Sequence, residues 1–205
     1  MKLILASRAA HPDTLSTINT RVGGLKGKSI AYIVTAGNGE GWGSWNGKTL
    51  QEVKNTGADI NIVQLEDYYN KDILEDLEKN EIIWFAGGYA GYLMYWIRRT
   101  GLDTVLPKLL ESRLYVGTSA GAWITSQTLE VAEFFLDGSE RGATFFPGLG
   151  YIDFDIYPHY EDYLYDQVKS LYKGKKLYLL KDGEEIIVED NKITVVGEER
   201  IIVNG

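Results

Sequence analysis

The chain has 205 residues, of which 44% are hydrophobic and 24% charged, and its formal net charge at pH 7 is -8. This is an ordinary globular composition, and the acidic balance argues against nucleic acid or an anionic membrane as a partner. The chain contains no cysteine, which excludes disulfides, thiolate metal sites and a cysteine nucleophile, and no apolar stretch approaches membrane-spanning length, so a soluble, cytoplasmic protein is expected.

Apolar, β-branched runs alternate with amphipathic segments over most of the chain. Such runs predict buried strands at residues 2–6, 29–36, 59–65, 81–88 and 113–119. Near-continuous hydrophobicity is typical of a parallel sheet that is covered on both faces. The segments in between predict helices at residues 45–57, 70–80, 91–112 and 120–131. This alternation predicts an α/β fold with a mostly parallel central sheet and right-handed crossovers.

The pattern changes after about Tyr172, where the runs become short and alternating. They are broken by Asp182-Gly183, Asp190-Asn191 and Gly197-Glu198, which are typical hairpin turns. We therefore expect antiparallel strands at the C-terminus. Because no linker or repeat interrupts the chain, residues 1–205 are predicted to form a single domain.

One serine lies in a motif that favours nucleophilic chemistry. Residues 117–121 read Gly-Thr-Ser-Ala-Gly, a G-x-S-x-G motif between a predicted strand and a predicted helix. A sharp turn there would project the Ser119 hydroxyl from the carboxyl edge of the sheet, where ligands of open α/β folds bind. The N–H of Ala120 would then be a natural oxyanion donor. The alternative is a serine at a helix start without chemistry.

A second oxyanion donor is predicted where residues 81–88 end. Gly87 and Gly88 follow the apolar run, and glycine permits the positive φ or close approach that a substrate-facing amide requires. A turn that uses glycine for packing is an equally simple interpretation.

The search for a general base is short because the chain has two histidines. His11 precedes a proline, and a surface or helix-start role is favoured for it. His159 follows Ser119 in the chain and lies beside aromatic and acidic residues, where an imidazole can be held in one tautomer. The alternative for His159 is a half-buried side chain packed among tyrosines.

The orienting acid is left open by the sequence. Glu133 lies between the serine and the histidine, and Glu161 lies two residues after His159. Asp137 and Asp155 are also near in the chain.

With these motifs in place, the chain resembles the peptidase E family (dipeptidase E, α-aspartyl dipeptidase) of serine peptidases, which are related to cyanophycinases. Three segments carry the resemblance: residues 85–102, 115–122 and 148–160. It implies a three-layer sandwich of the class I glutamine amidotransferase type, in which serine replaces cysteine.

The resemblance also implies roles for individual residues. Ser119 would be the nucleophile, His159 the base, and Gly88 and Ala120 the donors of the oxyanion hole. The family's acid is an aspartate about fifteen residues after the serine, whereas this chain has Glu133 near that point.

Two further departures concern the acid and the substrate. His159-Tyr160-Glu161 resembles the His-x-Glu arrangement of glutamine amidotransferases, which makes Glu161 a rival acid. No clear equivalent is found of the arginine that such dipeptidases would use to bind an acidic side chain, and Arg141 is a remote candidate.

The resulting expectation is a cytoplasmic serine peptidase that cleaves small peptides through an acyl-enzyme without metal or cofactor. A dipeptidase, with N-terminal Asp-X as one substrate class, is the form that the resemblance implies. The alternatives are an esterase of the α/β-hydrolase kind, although those enzymes usually place the histidine after the last strand, and a catalytically inactive binding protein of the same fold. The oligomeric state, monomer or homodimer, is left open.

Overall fold

The strands form two sheets. The computed structural model describes residues 1–39, 45–69, 71–135, 140, 142–190 and 192–204. The strands in these ranges are β1 (Lys2–Ala6), β2 (Ser29–Ile33), β3 (Asp59–Val63), β4 (Ile82–Phe85), β5 (Leu114–Thr118), β6 (Asp155–Tyr157), β7 (Lys176–Leu179), β8 (Glu185–Glu189), β9 (Lys192–Val196) and β10 (Ile201–Val203).

The larger sheet has the strand order β3-β2-β4-β5-β1-β8-β9, and the smaller one has the order β10-β7-β6. Strands β1 to β5 pair in parallel, whereas β8 and β9 are antiparallel to their neighbours. The predicted α/β class, with a mostly parallel central sheet and antiparallel strands at the C-terminus, is confirmed.

Helices cover both faces of the large sheet. They are α1 (Pro12–Arg21), α2 (Thr35–Asn38), α3 (Trp45–Lys54), α4 (Leu74–Glu78), α5 (Ala90–Thr100), α6 (Leu102–Leu109), α7 (Ala120–Trp123), α8 (Glu130–Phe134) and α9 (Tyr165–Leu171). None of these helices in the described part of the chain is long and apolar enough to cross a membrane.

Alternate residues of each central strand enter two separate cores. In β1, Leu3 and Leu5 pack in the core that includes α5, α6 and α7, whereas Ile4 and Ala6 pack in the core that includes α1 and α3. A strand that is buried on both faces explains why the sequence shows continuous rather than alternating hydrophobicity.

Three predicted helices differ from the structure in length. Of the helix predicted over 70–80, the described residues contain only the short helix α4, Leu74–Glu78. The segment 91–112 forms two helices, because Gly101 adopts a left-handed conformation (φ 71°) that ends α5 and begins α6. The helix predicted over 120–131 is a single short turn, α7, followed by the separate α8.

Two of the predicted hairpins are instead connections between the two sheets, and one of them, Gly197-Glu198, joins β9 of the large sheet to β10 of the small sheet. Asp182-Gly183 joins β7 of the small sheet to β8 of the large sheet, because β8 pairs along its whole length with β1. The Ser7 N–H donates to Glu184 O at 3.2 Å. This connection therefore brings Asp182 to the carboxyl end of β1.

Candidate active site

Ser119 lies in a strained turn at the carboxyl end of β5. Its backbone has φ 49° and ψ -108°, a region that non-glycine residues rarely adopt and that is typical of functional sites. The Ser119 N–H donates to Ala6 O at 3.0 Å, which ties the turn to the end of β1. Only 6% of Ser119 is exposed.

The two glycines of the motif are required by the close approach of the backbone. A Cβ atom on Gly117 would lie 2.4 Å from Gly121 O, and one on Gly121 would lie 2.4 Å from Phe85 O. These contacts are too short for any side chain. The G-x-S-x-G spacing therefore lets the turn pack directly against itself and against the end of β4.

The backbone amides of Gly88 and Ala120, near this turn, donate to no acceptor within the described ranges. Ala120 is the first residue of α7, so its N–H has no partner within the helix. Gly88 has φ 135°, and a Cβ there would lie 2.3 Å from Ala36 O. The two amides follow the adjacent strands β5 and β4 and are available to stabilise an oxyanion.

His159 lies just beyond the end of β6 and also has a left-handed backbone, with φ 51°. Its N–H donates to Ser7 Oγ at 2.8 Å. Its ring nitrogen Nδ1 lies 2.7 Å from Asp182 Oδ1, which leaves Nε2 as the nitrogen that can exchange a proton with a substrate or nucleophile. The side chain is 34% exposed.

Asp182 is the carboxylate that contacts His159. Burial raises the pKa of Asp182, but the hydrogen bonds from His159 and Ser7 and the positive charges of His159 and Arg8 lower it further than burial raises it. The net effect is a lowered pKa, so the carboxylate stays ionised beside the imidazole.

The sequence predicts only a turn at Asp182 and no part in the site. The sequence does contain a pattern that could have pointed to Asp182 as a site residue. Asp182 comes shortly after an apolar run at the end of a strand, and Ser7 comes directly after the apolar run of β1.

The structure brings neither Glu133 nor Glu161 to His159. The Glu133 carboxylate accepts hydrogen bonds from Gly142 N, Thr144 N and Thr144 Oγ1 at 2.7–3.0 Å. The hydrogen bonds from Thr144 lower the pKa of Glu133, and that from Gly142 adds to them, although burial opposes the shift. Glu161 is exposed.

The remaining candidates lie apart from this pair. Asp155 accepts a hydrogen bond from Tyr172 Oη at 2.7 Å. Asp137 and Arg141 lie outside the described residues. His11 begins α1, and its Nδ1 accepts the Asp13 N–H at 3.3 Å, so the predicted helix-start role is confirmed.

The end of β1 links the serine to the histidine. Ala6 O accepts the Ser119 N–H, and Ser7 Oγ accepts the His159 N–H. Within the described part of the chain, no hydrogen bond joins the Ser119 and His159 side chains. Catalytic hydrogen bonds in enzymes without substrate are often long and shorten in the complex. No group of three or more His, Cys, Asp or Glu that could hold a metal ion occurs in the same ranges.

Solved structures share this fold. A crystal structure of a candidate peptidase E protein from Listeria monocytogenes EGD-e matches with a TM-score of 0.80 and 22% identity, over 95% of this chain and 97% of that one. A peptidase from an acI-B1 Actinobacterium matches with a TM-score of 0.69 and 18% identity, over 100% of this chain and 94% of that one.

Similar sequences are peptidases that have not been characterized. One from Listeria monocytogenes is 25% identical over 177 residues, which is 82% of this chain and 86% of the relative. One from Pasteurella multocida is 28% identical over 165 residues, or 79% and 78% of the two chains. The model of peptidase family S51 matches residues 3–196. The match covers nearly the whole chain and agrees with the serine motif, so the protein belongs to peptidase family S51 and is a serine peptidase.

Proposed function

We propose that this peptidase hydrolyses small peptides through an acyl-enzyme on Ser119, with His159 as the general base and Asp182 as the acid that orients it. The observation that carries the proposal is the 2.7 Å contact between His159 Nδ1 and Asp182 Oδ1. A carboxylate at Nδ1 holds the imidazole in the tautomer whose Nε2 can accept a proton, and it stabilises the imidazolium that forms.

The first half of the reaction forms the acyl-enzyme. The Ser119 oxygen attacks the scissile carbonyl carbon while His159 Nε2 takes the hydroxyl proton. The amides of Gly88 and Ala120 donate hydrogen bonds to the resulting oxyanion. His159 then gives its proton to the leaving amine as the C–N bond breaks.

The second half regenerates the enzyme. Water attacks the ester carbonyl carbon while His159 Nε2 accepts a proton from it. The second tetrahedral intermediate then collapses with the Ser119 oxygen as leaving group, and His159 returns the proton to that oxygen. Only peptide and water are consumed, so the chemistry needs no cofactor.

For the substrate, we propose a peptide of the dipeptidase class, with N-terminal Asp-X as one candidate. The support is the family resemblance. Arg8 follows Ser7 and carries a positive charge near Asp182, and its guanidinium lies 3.5 Å from Glu52. Among the described residues, Arg8 is the cation that we propose binds an acidic substrate group.

The test is active-site labelling followed by a substrate panel. A fluorophosphonate should form one covalent adduct, located on Ser119 by peptide mass spectrometry, and Ser119→Ala should lose both the adduct and peptide hydrolysis. Ser126→Ala is the matched control, because Ser126 is also buried but its hydroxyl donates to Phe154 O. An adduct that persists in Ser119→Ala would refute the nucleophile.

The panel compares dipeptides that differ in their first residue with a simple ester. Faster cleavage of Asp-X than of Leu-X supports the aspartyl preference. Cleavage of the ester alone would replace the peptidase proposal by an esterase, and no turnover by a folded, unlabelled protein would indicate a binding protein.

A further inference from the structure

One buried hydroxyl contacts both members of the proposed base–acid pair. Ser7 follows β1 directly and is fully buried. Its Oγ donates to Asp182 Oδ1 at 2.9 Å and accepts the His159 N–H at 2.8 Å. A serine hydroxyl has a single proton to donate. Because Ser7 donates it in the hydrogen bond to Asp182, the Ser7 oxygen acts as the acceptor for the His159 N–H.

The position of Ser7 is set by the large sheet. Its own N–H donates to Glu184 O at 3.2 Å, and the preceding Ala6 is paired with Thr118 on one side and Glu185 on the other. His159 and Asp182, in contrast, follow β6 and β7 of the small sheet. The Ser7 hydroxyl therefore fixes residues of the small sheet relative to the strand end that holds the Ser119 turn.

The contact with His159 acts on a strained residue. His159 has φ 51°, in the left-handed region that a non-glycine residue adopts only when its surroundings hold it there. A hydrogen bond to its own N–H is such a constraint. Without it, the backbone can relax and the imidazole can move away from Asp182 and Ser119.

We propose that Ser7 is a positioning residue of this active site. It would contact neither the substrate nor the reacting atoms. It would act by holding the His159 backbone and the Asp182 carboxylate in place relative to each other and to Ser119. The inference rests on the proposed function, in which His159 and Asp182 are base and acid.

The kinetic test compares Ser7→Ala with the matched control Ser126→Ala. Each variant removes one buried serine hydroxyl, but the Ser126 hydroxyl donates to Phe154 O and not to the base–acid pair. We expect Ser7→Ala to lower kcat by about 10- to 100-fold with KM nearly unchanged, because misplacing a catalytic group slows the chemical step. We expect Ser126→Ala to keep the wild-type kcat.

A second variant covers the case in which Ser7→Ala does not fold. Ser7→Cys keeps one heavy atom on Cβ, avoids the cavity that alanine leaves, and replaces a strong donor by a weak one. We expect its melting temperature to stay near that of the wild type while its kcat falls.

The third measurement needs no substrate. The chain has two histidines, so His11→Asn, which keeps a good helix cap, leaves His159 as the single imidazole in the proton NMR spectrum. A downfield Nδ1–H signal is expected for an imidazole that donates to a carboxylate. It should shift or vanish in Ser7→Ala and Ser7→Cys, and it should persist in Ser126→Ala.

The outcomes separate this inference from the proposed function. If Ser119→Ala and Asp182→Asn are inactive but both Ser7 variants keep the wild-type kcat and the wild-type Nδ1–H signal, Ser7 has no positioning role. If Ser119→Ala remains active, the proposed function fails. The NMR comparison then still decides whether Ser7 positions His159.

Discussion

Asp182 and Glu133 are both ionised carboxylates near the carboxyl edge of the sheet, but their partners differ. Asp182 contacts the imidazole of His159, whereas Glu133 holds the backbone of residues 142 and 144. We expect Asp182→Asn to lower kcat by about 10²- to 10⁴-fold, because an amide at Nδ1 favours the wrong tautomer and does not stabilise an imidazolium. The measurement is kcat on a cleaved dipeptide.

Glu133→Gln is the control for this prediction. It should keep the wild-type kcat and should lower the free energy of unfolding by about 1 kcal/mol, the usual contribution of a lost hydrogen bond. The assignment of the acid would be reversed if Glu133→Gln lost activity and Asp182→Asn did not. Glu161→Gln, at an exposed position, should resemble the wild type in both measurements.

At the scale of elements, the turn between β5 and α7 depends on glycine. A Cβ on Gly121 would meet the backbone of β4 at Phe85 O, and backbone cannot move aside as a side chain can. We expect Gly121→Ala to lower the free energy of unfolding by about 2–3 kcal/mol and to reduce fluorophosphonate labelling of Ser119. Urea unfolding measures the first effect.

Gly47 in α3 provides the matched substitution. A Cβ there meets nothing within 4 Å, and alanine is favoured over glycine inside a helix by about 1 kcal/mol. Gly47→Ala should therefore stabilise the protein slightly and leave labelling unchanged. Equal effects of the two substitutions would contradict the packing argument.

The same elements show how far local pattern predicts structure. Four of the parallel strands, β1, β2, β4 and β5, were predictable because each is buried on both faces and has a continuous apolar run. The fifth, β3, lies at the edge of the sheet and is mostly exposed. The break at Gly101 was missed because apolar periodicity continues across it, although glycine is a common helix end. The short length of α7 was also not predicted, because residues 120–131 contain no glycine or proline after Gly121 that would mark the end of a helix.

At the scale of the whole molecule, the candidate site depends on contacts between distant segments. Ser119 and His159 were found because a local motif and a rare residue type mark them. Asp182 was not found, because its link to Ser7 spans 175 positions of the chain. This link forms because the chain leaves the small sheet after β7 and β8 pairs with β1. A turn motif such as Asp182-Gly183 does not indicate which strands it joins.

The pairing of β8 with β1 also buries a carboxylate, and this gives a prediction about the stability of the whole molecule. Glu185 is fully buried, and Thr14 Oγ1 donates to its Oε2 at 2.8 Å. Burial raises the pKa of Glu185, and the hydrogen bonds from Thr14 and Thr17 offset this only in part.

A raised pKa in the folded state has a defined effect on stability. Below the unfolded pKa the residue is protonated in both states and has no effect. As the pH rises from there through the folded pKa, the unfolded state is increasingly favoured, because only it ionises freely. Glu185→Gln is neutral throughout, so the free energy of unfolding of the variant should rise relative to the wild type between pH 4 and pH 7, as measured by urea unfolding.

Glu81 supplies the control with the opposite sign. The hydrogen bond from Lys28 lowers the pKa of Glu81, and the Ser29 N–H contributes as well. Ionised Glu81 therefore stabilises the folded state above the unfolded pKa, and this contribution to the free energy of unfolding is lost as the pH falls through the folded pKa. Glu81→Gln should therefore lose stability relative to the wild type as the pH rises from below the folded pKa to the unfolded value near 4.5, and the difference should stay constant above that. If the free energy of unfolding of the two variants changed with pH in the same direction, Glu185 would not be a buried carboxylate with a raised pKa. The contact between Glu185 of β8 and Thr14 of α1 would then be wrong.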